Sequence, residues 1–300
     1  MNKREIGKSG IFVSELGLGC MSFPDDLEEV KNIIDVALEA GINFFDTADL
    51  YAAGRNESLV GEALKGRRDQ VILATKVGNR RSPGEDGWRW DASKAYIMEA
   101  VKDSIKRLGT DYIDLYQLHG GTMEDDATET IEAFEALKKE GVIRQYGISS
   151  IRPNVIERFL TNSSAISVMM QYSLLDRRPE EWFPMINEAG ASVITRGTLA
   201  KGLLTDDGLT RVKKMDGFVV YDSEDLKKTV GELHETVNDL HALALAFNLK
   251  QDVVASALIG ASSKEQLLDS IVAYEKEIDQ SELTTASQLT KEHQYEEHRI

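Results

Sequence analysis

The sequence predicts a single α/β domain over residues 1–300: a (β/α)8 TIM barrel with a short N-terminal β-hairpin and a C-terminal helical tail. Three observations lead there. Short apolar or β-branched runs recur every few tens of residues, eight in all; amphipathic helical patterns fill the intervals; no Pro/Gly/Ser-rich linker or solenoid repeat divides the chain. Barrels of alternating strands and helices reach 300 residues as one unit, and an open doubly wound sheet is the competing arrangement.

Taken in order, GKSG before Glu15 is a turn signal between polar and β-branched residues, which suits a hairpin. The strands follow as ELGLG (15–19), NFFD (43–46), VILATK (71–76), YIDLYQL (112–118), VIRQYGI (142–148), ISVMMQ (166–171), ASVIT (191–195) and ASALIG (255–260). Between them LEEVKNIIDVALEAG places Val30, Ile33, Ile34, Ala37 and Leu38 on one helical face, with Gly41 available as a stop. SKAYIMEAVKDSIKRLG repeats the design and closes on Gly109. Beyond Ser281 the chain reads as a polar terminal helix or tail.

Composition narrows the function. With 42% hydrophobic and 29% charged residues the chain can bury a core, which argues against disorder. A net charge of -16 sets a repulsive mean field against a phosphate backbone, so nucleic acid is not an expected partner. The single Cys20 forms no internal disulfide and no multi-cysteine zinc site; it reads as a small buried apolar residue and suits a reducing, cytoplasmic compartment. The N-terminal residues carry charge but no apolar run of signal-peptide length, and no run of about 18 apolar residues suggests a membrane span. His234 and His241, and His293 and His298, lack metal-ligand spacing with a further ligand, so no metal is assigned.

In a barrel, functional side chains gather where strands end. Asp46 ends its run, Tyr51 lies in the loop that follows, Lys76 ends VILATK, and His119 follows YIDLYQL. Singly these read as a cap, a loop aromatic, a snorkelling base and a core histidine. An acid, a phenol, an amine and an imidazole on three neighbouring strand ends can instead converge on one pocket. Lys76 would supply an ammonium that favours the phenolate of Tyr51, Asp46 would hold Lys76, and His119 would bond a carbonyl oxygen or relay a proton, together stabilising an alkoxide. None of the four supplies a hydride, so a reductive reading needs a cofactor.

INFFDTADLYAAGRNESLVGEAL (42–64), VILATKVG (71–78) and DYIDLYQLHG (111–120) closely resemble the motifs of the aldo-keto reductase superfamily, and the similarity runs over nearly the whole chain. The resemblance implies NADP(H)-dependent reduction of aldehydes or ketones, a small carbonyl substrate, and a catalytic tetrad of Asp46, Tyr51, Lys76 and His119. It implies a cofactor held across the barrel mouth, and the sequence has no G-x-G-x-x-G after its first strand. GLG at Gly17–Gly19 reads as a barrel-end turn. Ser149 matches the family serine at the nicotinamide amide, Ser150 replaces the usual Asn, and Gln171 matches the amide-binding glutamine. In VITRGTLAKGLL, Leu199 and Gly202 match the family loop, while Arg196 replaces an aromatic and could stack its planar guanidinium on the ring. Near the C-terminus LIGASSKEQLLDS resembles the adenosine-binding turn: Gly260, Ser262 and Lys264 surround a helix start suited to phosphate, with a capping serine and a solvated lysine as the alternative, and Gln266, Asp269 and Ser270 share a helix face. Met21, with Trp88 and Trp90 in the loop VGNRRSPGEDGWRWD, would meet substrate; the two tryptophans could equally pack the loop down. Two rival functions remain: a cofactor-sensing binding subunit, and a lyase using Lys76 as a Schiff base. Oligomeric state is not encoded in any of these features.

Overall fold

A computed structural model of the chain describes residues 1–81 and 87–299. Eight parallel strands close into a barrel: β1 (Leu16–Gly19), β2 (Phe44–Asp46), β3 (Ile72–Val77), β4 (Ile113–Leu118), β5 (Ile143–Ser149), β6 (Ser167–Gln171), β7 (Ser192–Arg196) and β8 (Val254–Gly260), each paired with its sequence neighbour and β8 with β1. Every predicted run contributes one of these strands, and the closed order excludes the open sheet. The surrounding helices are α1 (Leu27–Glu39), α2 (Arg55–Ala63), α3 (Lys94–Leu108), α4 (Ala127–Lys139), α5 (Pro153–Thr161), α6 (Phe183–Glu188), α7 (Leu240–Leu249) and α8 (Lys264–Tyr274). Asp26, Ser93, Asp126, Asp239 and Ser263 cap α1, α3, α4, α7 and α8 through their side chains, which satisfies amides that a helix start leaves free.

Strand alternation fills the barrel. Phe44, Ala74, Leu115, Met169, Ile194, Ala255 and Leu258 form one buried cluster with Ile6, Val13 and Ile166. Ile6 and Val13 come from the expected hairpin, Lys3–Glu5 against Phe12–Ser14, which therefore plugs the barrel at the ends where the strands begin. Gly17 belongs to this interior: a Cβ there would lie 2.7 Å from Leu258 and 2.8 Å from Phe44, so GLG is a packing feature. A second hydrophobic layer, including Val30, Ile33, Phe134, Tyr146 and Phe247, joins barrel to helices.

Two regions exceed the sequence reading. A hairpin (Gly217–Phe218 with Tyr221–Asp222) and a helix (Ser223–Thr236) intervene between β7 and α7. The C-terminal helix spans Gln280–Leu289, after which residues 290–299 run on without helix, buried Tyr295 among them.

Candidate active site at the barrel mouth

Side chains two residues beyond the barrel core share its inward face, because a strand repeats every second residue. Phe44 is thus followed by Asp46, Ala74 by Lys76, Leu115 by Gln117, Met169 by Gln171, and Ile194 by Arg196. Lys76 is 1% exposed and donates to Asp46 Oδ2 at 2.5 Å, to the Thr47 carbonyl at 2.8 Å and to Tyr51 Oη at 3.3 Å. Gln117 Nε2 donates to the other Asp46 oxygen at 3.1 Å. The Tyr51 and His119 rings meet edge to face, centroids 6.0 Å apart. Asp46, Tyr51, Lys76 and His119 are therefore brought together. Gln117 was missed from the sequence, although it lies in β4 two residues before His119, which follows that strand.

Supports behind this group come from the segment that follows β2. Thr47 donates to Asn56, whose amide donates to the Cys20 carbonyl at 2.7 Å, tying the ends of β1 and β2 together. Glu57, fully buried, accepts from Thr75 beside Lys76 and from Arg107 of α3, both at 2.6 Å. Ala52 and Ala53 take left-handed φ of 46° and 55° directly after Tyr51, an uncommon conformation for non-glycine residues held in place by this frame. Cys20 is buried beside Asp46, and burial pushes its thiol far up, away from reactivity.

Electrostatics assign protonation states. Burial works against a charge on Lys76, but the Asp46 carboxylate outweighs it and holds the ammonium above the usual lysine range. A buried ammonium bonded to three oxygens is a poor Schiff-base nucleophile, which requires a free neutral amine. Burial, with Lys76 and Arg196 nearby, drives His119 down to about 3, so its imidazole is neutral. Its Nδ1 is buried without a partner among the described residues. An unpaired acceptor there costs less than an unpaired N–H, which puts the proton on Nε2.

A groove of about 810 Å³ opens beside the mouth, lined by Met21, Leu199, Gly202, Gly260, Ser262, Gln266, Asp269 and Ser270 from the sequence-based set. Ser149 and Ser150 end β5 and follow it, both buried, and Ser150 Oγ accepts from the Arg152 amide. Gln171 and Arg196 stand side by side on β6 and β7, with Arg196 Nη1 donating to Gln171 Oε1 at 3.0 Å. The Ser262 amide and hydroxyl both bond Gln266 Oε1. Lys264 extends to within 4.0 Å of Glu265, whereas the cations that line the groove are Lys201, Arg211 and Lys276, accompanied by Asp206, Asp207 and Asp239. His241, also unassigned from sequence, lines the same groove and bonds Ser270 Oγ at 3.1 Å.

Residues 82–86 of the loop read as a substrate cover lie outside the described residues. Trp88 is 54% exposed, and Met21 66%. Trp90 is clamped instead: its Nε1 donates to Asp125 at 2.8 Å, and a Cβ on Gly78, where φ is +130°, would come within 2.5 Å of its ring.

A family model described as "Aldo/keto reductase family" matches residues 15–291. The chain belongs to that family. The aldo-keto reductase AKR11C1 from Bacillus halodurans, in its holo form, has a structure of TM-score 0.94 to this one at 54% identity, with all of both chains covered. "Uncharacterized oxidoreductase YqkF" of Bacillus subtilis (strain 168) is 51% identical, again over the full length of both. A more distant member, the "NADH-specific methylglyoxal reductase" of Escherichia coli (strain K12), is 31% identical over 97% of this chain and 99% of its own. As an aldo-keto reductase the chain is an oxidoreductase of a family that uses nicotinamide cofactors, and no described helix is long and apolar enough to cross a membrane.

Proposed function

We propose that this protein reduces aldehydes or ketones to alcohols with NADPH, reversibly, and that Tyr51 is the proton donor. The observation that carries the reading is the contact of Lys76 Nζ with both Asp46 Oδ2 and Tyr51 Oη, beside a neutral His119. The groove suits an extended dinucleotide: glycines at 197, 202 and 260 let it approach the backbone, and Gln171 packs against Gly197, one of these lining residues. In this assignment Ser149, Ser150 and Gln171 hold the nicotinamide amide and Arg196 lies over the ring. Leu199, Gly202 and Gly260 contact the middle, and Ser262, Gln266, Asp269 and Ser270 take the adenosine end, with Lys264 beside them at the start of α8. Lys201 and Arg211, the latter 3.5 Å from Asp207, give the groove cations that a 2′-phosphate could meet, which favours NADPH over NADH. When bound, the cofactor supplies the hydride.

The residues do the remaining work. Tyr51 gives its hydroxyl proton to the substrate oxygen, and its own oxygen is left facing the Lys76 ammonium. Asp46, held by Gln117, keeps that ammonium charged and pointed. His119 donates from Nε2 to the same substrate oxygen, stabilising charge as it develops there. We assign exposed Met21 and Trp88 to apolar contact with a small carbonyl substrate, and Trp90, held by Asp125, to supporting that side of the site. We read the chain as one catalytic unit acting in a reducing, cytoplasmic setting, in keeping with its single buried Cys20.

A scan of NADPH consumption against aliphatic, aromatic and α-dicarbonyl substrates tests the activity, with Tyr51→Phe as control. Loss of the proton donor should lower kcat on the order of a hundredfold or more while cofactor affinity stays within a few-fold. Near-normal turnover in Tyr51→Phe removes that residue from the mechanism. A wild type that binds NADPH yet turns over no carbonyl would favour the cofactor-sensing subunit.

A further inference from the structure

The two ends of a glutamine amide are told apart only by their partners, and Gln171 has one obligate partner at each end. Its Nε2 donates to Asp176 Oδ2 at 2.8 Å, and a carboxylate can only accept. Its Oε1 accepts from Arg196 Nη1, and a guanidinium can only donate. The amide of Gln171 is therefore locked: its N–H2 is tied to Asp176, and its oxygen, with one lone pair to spare, is turned toward Arg196 on the inward ladder of the barrel.

Asp176 is itself held from the far end of the chain. Its side chain is fully buried and takes a forked bond from Arg178, Nε to Oδ1 and Nη2 to Oδ2, both at 2.7 Å. His293 Nε2 lies 3.5 Å from Oδ1, and the Tyr295 ring supports the Arg178 guanidinium at 4.8 Å from its centroid. Arg299, further along the same segment, donates to Glu181 and so anchors residues 290–299 over the chain that follows β6. Burial works against the charge on Asp176, but Arg178 and His293 hold its carboxyl below the ordinary range, so it stays an acceptor.

We propose that Asp176, braced by Arg178, His293 and Tyr295, is a positioning residue for the cofactor. It sets the polarity of the Gln171 amide, so that the mouth of the barrel offers a hydrogen-bond acceptor, and not a donor, to a carboxamide N–H. This inference rests on the nicotinamide reading of the groove and makes the C-terminal segment part of the cofactor site.

The test compares NADP⁺ with its 3-acetylpyridine analogue, in which a methyl group replaces the amide N–H2, by titrating tryptophan fluorescence. The pair lacking the 2′-phosphate is run in parallel. Wild type should bind the analogue about tenfold more weakly, the worth of one hydrogen bond whose acceptor is left unpaired. In Asp176→Asn one amide oxygen faces three donors, Arg178 Nε, Arg178 Nη2 and Gln171 Nε2, so the tie on the Gln171 N–H2 weakens and the amide is held chiefly by Arg196. The tenfold gap should then narrow to about fourfold or less. Tyr295→Leu, which loosens Arg178, should narrow it by roughly two- to threefold. A merely structural role would weaken both dinucleotides alike and leave their ratio unchanged. Equal binding of the pair by wild type overturns the inference while leaving the cofactor reading intact, as does an undiminished gap in folded Asp176→Asn. An undiminished gap in Tyr295→Leu removes the C-terminal segment from the site. Failure of wild type to bind any of the four dinucleotides overturns both readings. Should Asp176→Asn not fold, the wild-type ratio and Tyr295→Leu decide the matter.

Discussion

Replacing Lys76 by Met removes a buried ammonium but keeps most of the side-chain volume, which separates its electrostatic from its packing role. Asp46 is 4% exposed at its side chain and has two charge-stabilising side chains, Lys76 at 2.5 Å and Gln117 at 3.1 Å. Without Lys76 the carboxylate keeps one neutral donor in an apolar surround. Breaking a buried pair from one side costs about 3–5 kcal/mol, because the remaining charge is uncompensated. For a chain of 300 residues that corresponds to a fall in Tm of roughly 5–8 °C. Asp46→Asn combined with Lys76→Met removes both charges and should recover at least half of the loss. Burial is the strongest influence on Asp46 and pushes its carboxyl upward. In Lys76→Met the folded state therefore holds the Asp46 proton more tightly than the unfolded chain does; stability is retained at low pH and lost as pH rises, so the deficit shrinks on acidification. Carbonyl reduction should stay crippled in both variants, since neither returns a donor to Tyr51. Thermal melts from pH 5 to 8, with turnover on the same samples, measure all of this. A double variant no more stable than Lys76→Met, or a single variant as stable as wild type, would refute the account of Lys76 as a counterion that the fold requires.

Two further outcomes follow from the titrating groups around the site. Asp49 has one carboxylate oxygen buried without a described partner, and burial, with Glu57 nearby, raises it to about 7. Its folded pKa exceeds the unfolded value of about 4, so stability present below pH 4 is lost progressively as pH rises through 7. Asp49→Asn should thus melt with wild type near pH 4 and above it at pH 8; melting curves with identical pH dependence would contradict the assignment. His119 stands near 3, so its ring proton resonances should show no protonation step between pH 5 and 8, and a step in that interval would mean that the imidazole is charged during turnover.

Much of this protein was legible in its sequence because barrel geometry is local and periodic. Each strand announces itself as an apolar run, and its last polar residue faces the mouth; Asp46, Lys76, Gln171 and Arg196 all follow a core residue by two positions. The same rule would have found Gln117, two residues before His119, had alternation been carried one step back along the strand. The NESLVGEAL stretch was visible as a motif, but its work was not. That Asn56 reaches the Cys20 carbonyl and Glu57 the Thr75 hydroxyl depends on how α2 packs across the ends of β1, β2 and β3.

What the tertiary structure alone decided are contacts between residues that share no periodic relation. His241 read as one member of a pair on a helical pattern, and only the placement of α7 against α8 sets it against Ser270 in the groove. Lys264 had the composition of a phosphate ligand, yet its side chain runs to Glu265 while Lys201 and Arg211 line the groove, because side-chain direction at a helix start is not encoded in the order of residues. The polar C-terminus gave no sign that His293 and Tyr295 brace Asp176, or that Asp176 orients Gln171. A hydrogen bond is set by ångström-scale distance and direction, and chain order places such partners together only after the barrel has closed.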